Sequence, residues 1–120
     1  MWETVVRLHR KIAPECIETI EERHAILRHI QHTQPVGRRA LAAFLEKGER
    51  IVRAQVDFLK AAGLLEISPM GMHITPEGEA VLQELAEYIR VLHGLTSLEE
   101  RLAEKLGIKR VMILPGDSDT

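Results

Sequence analysis

The chain has 120 residues, 45% hydrophobic and 28% charged, enough for one compact domain with an appended element and too little for a second full-size domain. The lone cysteine, Cys16, excludes an internal disulfide and a cysteine-rich metal framework, and 3% aromatics argue against a stacking platform for single-stranded nucleic acid. A net charge of −2 would discourage binding to any polyanion if it were spread evenly. No apolar run approaches the roughly 18 residues of a membrane span, and "MWETVVRLHRKIAPE" lacks the residue order of a secretory signal, so a soluble, cytoplasmic protein is expected.

Taken in chain order, Trp2, Val5, Val6, His9 and Ile12 recur at helical spacing and predict a short helix in an N-terminal extension, residues 1–13. Pro14 suits a first helical position, and "PECIETIEERHAILRHIQ" brings Ile17, Ile20, Leu27 and Ile30 to one face of a long helix ending near Thr33. "QPVG" breaks the period. "RRALAAFL" then predicts a shorter helix that buries Leu41, Phe44 and Leu45.

A further helix runs from about Glu49 to Ala62, closed by Gly63 in the left-handed turn. Val52, Val56 and Leu59 share its apolar stripe, while Arg50, Arg53, Ala54 and Asp57 lie opposite. About three residues join it to the helix before, so the two must cross steeply, as in a helix-turn-helix. Gly48 stands at the start of this helix, where it offers no side-chain hydrogen bond.

The period then changes. "LLEI" and "MHIT" flank the turn-forming "SPMG", so residues 64–75 read as a β-hairpin. Thr75 caps a helix that starts at Pro76, buries Val81, Leu82, Leu85, Ile89 and Leu92, and ends at Gly94. Ser97 and Glu100 have capping-box spacing for one more helix, to Leu106, and "IKRVMILPGDSDT" reads as a strand and polar loop with no partner strand. Residues 14–94 thus have the order of a mainly α winged helix-turn-helix, a three-helix core plus a two-stranded wing. Residues 95–120 read as a linker helix followed by a strand that the winged helix does not account for.

Charge is segregated along this layout. Residues 37–60 carry Arg38, Arg39, Lys47, Arg50, Arg53 and Lys60 against Glu46, Glu49 and Asp57, a balance of +3; residues 76–107 carry seven glutamates against three cations, a balance of −4. In a winged helix the third core helix enters the major groove of DNA. Arg50 and Arg53 stand in its first turns, where arginine donates two hydrogen bonds to guanine; Ala54 leaves room for close approach, and Gln55 flanks them. Arg38, Arg39, Lys47 and Lys60 are placed for phosphates. Ile51 and Phe58 are expected to pack against neighbouring helices.

Other candidates are weaker. His29 and His32 are three apart on a helix, but zinc wants three or four protein ligands, so no metal site is read. Cys16 is expected to be a buried or half-buried structural thiol. Leu85, Ile89, Leu92, Leu98 and Leu102 extend an apolar stripe beyond a complete winged helix, which a second copy would bury in a homo-oligomer.

The segments "PVGRRAL", "ERIVRAQVDFLKAAGLL", "GMHITPEG" and "LHGLTSLEERLAEKLGIKRVMILPGDSD" resemble the amino-terminal part of glycolytic repressors in the SorC family of sugar-responsive transcription factors. That resemblance implies that Arg38, Arg39, Arg50 and Arg53 belong to an operator-binding surface. It further implies that "VMILPGDSD" opens an effector domain, absent here, that takes a sugar phosphate such as fructose 1,6-bisphosphate. A protein-interaction module built on the acidic, leucine-rich later helices is the alternative, since fold by itself does not decide function. No nucleophile, base and orienting group assemble, so an enzyme is not expected.

Overall fold

The computed structural model describes residues 2–106. Helices α1 (Trp2–Ile12), α2 (Pro14–Thr33), α3 (Arg38–Leu45) and α4 (Glu49–Ala61) are followed by strands β1 (Leu65–Ser68) and β2 (Gly71–Ile74) and by helix α5 (Pro76–Leu106). The chain divides into two compact units. One is Glu21–Leu85, and the other takes its described residues from Met1–Ile20 and from Ala86 onward.

Glu21–Leu85 is a winged helix. Its core gathers Ile26, Leu27 and Ile30 of α2, Leu41 and Ala42 of α3, Val52, Val56 and Leu59 of α4, Leu65, Met72 and Ile74 of the wing, and Leu82 of α5. Each full burial of such an aliphatic side chain contributes about 1.5–3 kcal/mol, so these residues hold the elements in place. At the corner between α3 and α4, Glu46 adopts the left-handed conformation (φ 55°) and its N–H reaches the carbonyls of Ala42 and Ala43. Gly48 starts α4 with extended backbone and no side-chain cap. The end of α4 is closed by Gly63 at φ 81°.

The wing is an antiparallel pair in the register Leu65↔Ile74, Glu66↔His73, Ile67↔Met72 and Ser68↔Gly71. The "QPVG" segment does more than end α2. Val36 and Met72 exchange backbone hydrogen bonds, N–H of Met72 to Val36 at 2.8 Å and N–H of Val36 to Met72 at 3.3 Å, tying the base of α3 to the wing. Gly71 permits this approach, because a Cβ there would lie 2.9 Å from the Val36 nitrogen. Thr75 caps α5 as its spacing implies: its Oγ1 accepts from the Gly78 N–H at 3.0 Å and donates to the Gly63 carbonyl at 2.6 Å.

In the other unit Val6, Ile17, Tyr88 and Leu92 are buried together, with Val5, Ile20, Ile89, Val91 and Leu95 against them. His9 Nδ1 lies 2.8 Å from the Tyr88 hydroxyl, and the Trp2 ring meets Tyr88 edge-on with centroids 5.7 Å apart. Arg90 holds Glu87 by two hydrogen bonds one turn apart, which lowers the Glu87 carboxyl below its ordinary range and raises the guanidinium.

Several expectations need correcting. Helix α5 runs unbroken through Gly94, so Ser97 and Glu100 lie inside a helix and do not cap a new one. Val81, Leu85 and Ile89 are half-buried, whereas Tyr88, a turn below Leu92, is buried. Leu92 is only 5% exposed because the N-terminal segment supplies its partners, so it offers nothing to a second copy in this arrangement. Phe44, assigned to the core, is 60% exposed and stacks on His29 with ring centroids 3.7 Å apart. Cys16 is exposed, since Ile17 and not its neighbour faces inward. The strand expected after residue 107 lies outside the described residues.

Candidate nucleic-acid interface

The apolar stripe of α4 determines what the rest of that helix presents. With Val52, Val56 and Leu59 fully buried, Arg50, Arg53 and Ala54 are turned outward and exposed. Successive residues are about 100° apart around a helix, so Arg50 and Ala54 lie close to the centre of the solvent face and Arg53 lies toward one flank. That flank borders an open cleft of about 320 Å³ lined by Val36, Gly37, Arg38, Arg39, Glu49, Arg53 and the wing residues Ile67, Gly71 and Met72. The cleft exists because the Val36–Met72 bridge brings the wing to the start of α3.

Three arginines therefore meet one carboxylate in this cleft. Arg38 lies 3.5 Å from Asp57 Oδ1, and its Nε is buried without a hydrogen-bond partner. Arg39 Nε sits 3.4 Å from Glu49 Oε1, with the side chain 94% exposed, a pair too open to hold strongly. Gly37 precedes α3 without a side-chain cap. The first-turn N–H groups of α3 thus stand beside guanidinium groups, which is electrostatically suited to a phosphate oxygen. Lys47 is 3.6 Å from Glu22 Oε2, and Lys60 is exposed in the last turn of α4.

Gln55 behaves differently from its neighbours. It is half-buried on the opposite flank, where its Oε1 accepts a 2.8 Å hydrogen bond from Arg23 Nε of α2. The same guanidinium lies over the Phe58 ring at 3.7 Å. Gln55 and Phe58 thus fasten α4 to α2 through Arg23, so Gln55 does not sit with Arg50 and Arg53 as a base-facing group. Sequence spacing alone had no means of finding Arg23, because its role depends on how α2 crosses α4. Ile51, expected to pack inward, is 52% exposed.

The two histidines singled out earlier are used locally. His29 stacks on Phe44, and His32 Nδ1 lies 2.9 Å from the Arg28 carbonyl. Among the described residues no group of three or more His, Cys, Asp or Glu side chains is placed to hold a metal ion, and no helix is long and apolar enough to cross a membrane.

Comparison with known proteins shows what the chain as a whole is similar to. Residues 19–89 match the family model described as the CggR N-terminal DNA-binding domain. The chain is 40% identical over 116 residues to the central glycolytic genes regulator of Priestia megaterium, covering 97% of this chain and 34% of that protein. It is 38% identical over 115 residues to the central glycolytic genes regulator of Bacillus subtilis, covering 96% of this chain and 34% of that protein. The chain spans about a third of the length of these relatives.

Proposed function

We propose, on the premise that the chain belongs to the CggR N-terminal DNA-binding domain family, that it reads the operator of a repressor of glycolytic-type genes through α4. The observation that carries this reading is the exposed arginine face of α4 beside an arginine-lined cleft, both held by one buried core. In this reading Arg50 and Arg53 donate to base edges in the major groove, with Ala54 allowing close approach. Arg38, Arg39, Lys47 and Lys60 neutralise phosphates on either side. Family membership favours DNA over the interaction-module alternative, and a regulator's DNA-binding domain is not an enzyme.

The cytoplasmic repressor is proposed to act as a homo-oligomer on a palindromic site. Leu98 and Leu102, 45% and 48% exposed, support a second copy on the later part of α5. A sugar phosphate such as fructose 1,6-bisphosphate is proposed to control binding through the two thirds of the relatives' length that lies outside the match.

The test is a titration against duplex DNA at two salt concentrations, with a scrambled duplex beside it. Neutralising four phosphates per copy gives a log–log salt slope of about −3.6, at about −0.9 per phosphate. Steep salt dependence on both duplexes, with tighter binding to the specific one, is the expected result. Salt-insensitive or absent binding overturns the reading.

A further inference from the structure

The exposed face of α4 carries one side chain that neither the arginines nor the core accounts for. Ile51 is 52% exposed in the first turn, the part of a recognition helix that reaches base edges. A single exposed aliphatic side chain is ordinary on a protein surface, so what gives Ile51 its meaning is its place in the first turn of α4 beside Arg50. Phe44 and Phe58 are comparably exposed, at 60% and 48%, but each has a named partner, Phe58 lying under the Arg23 guanidinium and Phe44 on the His29 ring. By helical geometry Ile51 sits about 60° around from Ala54 and one turn before it, so the two form a shallow apolar notch. Arg50 borders the notch on one side.

We propose that Ile51, with Ala54, recognises the 5-methyl group of a thymine adjacent to the base engaged by Arg50. Among the groups displayed in the major groove, the thymine methyl is the apolar one, and aliphatic side chains are its usual complement. The arginines on the same helix supply the charge complementarity that brings this notch against DNA and not against an uncharged partner. This inference rests on the DNA-reading function above and adds to it a specificity-determining residue and the base class it selects.

The test begins by enriching duplexes from a random library on the 120-residue chain, then replacing each thymine singly by deoxyuridine, which keeps the base pair and lacks the methyl. Removing a contact the size of one methyl group is expected to weaken binding about four-fold at one thymine per half-site. Ile51→Ala should weaken the thymine duplex by a similar factor and abolish the thymine–deoxyuridine difference, whereas Ile51→Val should preserve most of it. Because alanine is a better helix former and the site is exposed, the variant should melt no lower than the parent and should bind random DNA with an unchanged salt slope. Equal binding to thymine and deoxyuridine at every position, or undiminished discrimination by Ile51→Ala, overturns the assignment while leaving DNA reading intact. Failure to enrich any duplex over random DNA overturns the DNA-reading function, and the assignment with it.

Discussion

Two glycines of α5 should respond in opposite directions to the same added methyl group. At Gly78 a Cβ would lie 2.2 Å from the Leu64 carbonyl oxygen and 2.7 Å from Ile74 Cγ1. Carbon and carbonyl oxygen are in ordinary contact at about 3.3 Å or more, so the first turn of α5 must back away from the wing by roughly 1 Å. That movement overpacks the site, at about 1–3 kcal/mol, and stretches the Thr75 cap hydrogen bond, another ~1 kcal/mol. Against it stands about 1 kcal/mol of helix propensity gained by alanine. The net expectation for Gly78→Ala is a loss of roughly 1–3 kcal/mol, or about 8–16 °C in Tm for a mid-range value.

At Gly94 nothing lies within 4 Å of the added Cβ, and the helix continues on both sides. Gly94→Ala should therefore gain about 0.5–1 kcal/mol. Thermal and urea unfolding followed by far-UV circular dichroism measures both. An unchanged midpoint for Gly78→Ala would refute the close approach of α5 to the wing. A destabilised Gly94→Ala would mean that the glycine ends a helix there in a left-handed conformation.

Arg53→Ala should weaken binding to an enriched duplex by about 1–3 kcal/mol and barely affect random DNA, whereas Arg39→Ala should weaken both alike; competition titrations separate the two, and equal losses for Arg53→Ala would remove it as a base reader. Arg23→Ala should destabilise Glu21–Leu85 by roughly 1–2 kcal/mol, because the Phe58 stack and the Gln55 hydrogen bond go together. A change within a few tenths in urea unfolding would show that α4 does not depend on this link. The Glu87 carboxyl should titrate below the usual glutamate range by NMR and return toward it in Arg90→Ala. Since its folded pKa is lowered, the associated stability is present above the ordinary glutamate pKa of about 4.3 and is lost as pH falls through the lowered value.

Much of the architecture was legible because local periodicity and tertiary packing ask for the same thing. The boundaries of α2, α3 and α4, the wing and the Thr75 cap follow from apolar spacing and turn residues, and so does the outward turn of Arg50, Arg53 and Ala54 once Val52, Val56 and Leu59 are assigned inward. A helix has one buried stripe, so naming its members also names the opposite face.

What pattern could not supply is which residues beside the stripe become covered, because that depends on the angle at which a second helix crosses. Phe44 and Ile51 are as apolar as their buried neighbours, yet both are more than half exposed, while Arg23 is polar and packs over Phe58. Glycine is ambiguous for a related reason: its freedom suits a helix end, a close approach or a helix interior equally. Gly63 proves to be a left-handed terminator, Gly78 a point of contact and Gly94 a residue the helix passes through. Amino-acid order thus determined the elements from α2 to the start of α5 and the face that carries charge, whereas the length of α5 did not follow from it. Tertiary packing decided that Gln55 is withdrawn to Arg23, that Val36 bridges to the wing and opens the arginine cleft, and that Ile51 is left in solvent, since each requires groups far apart in sequence to meet.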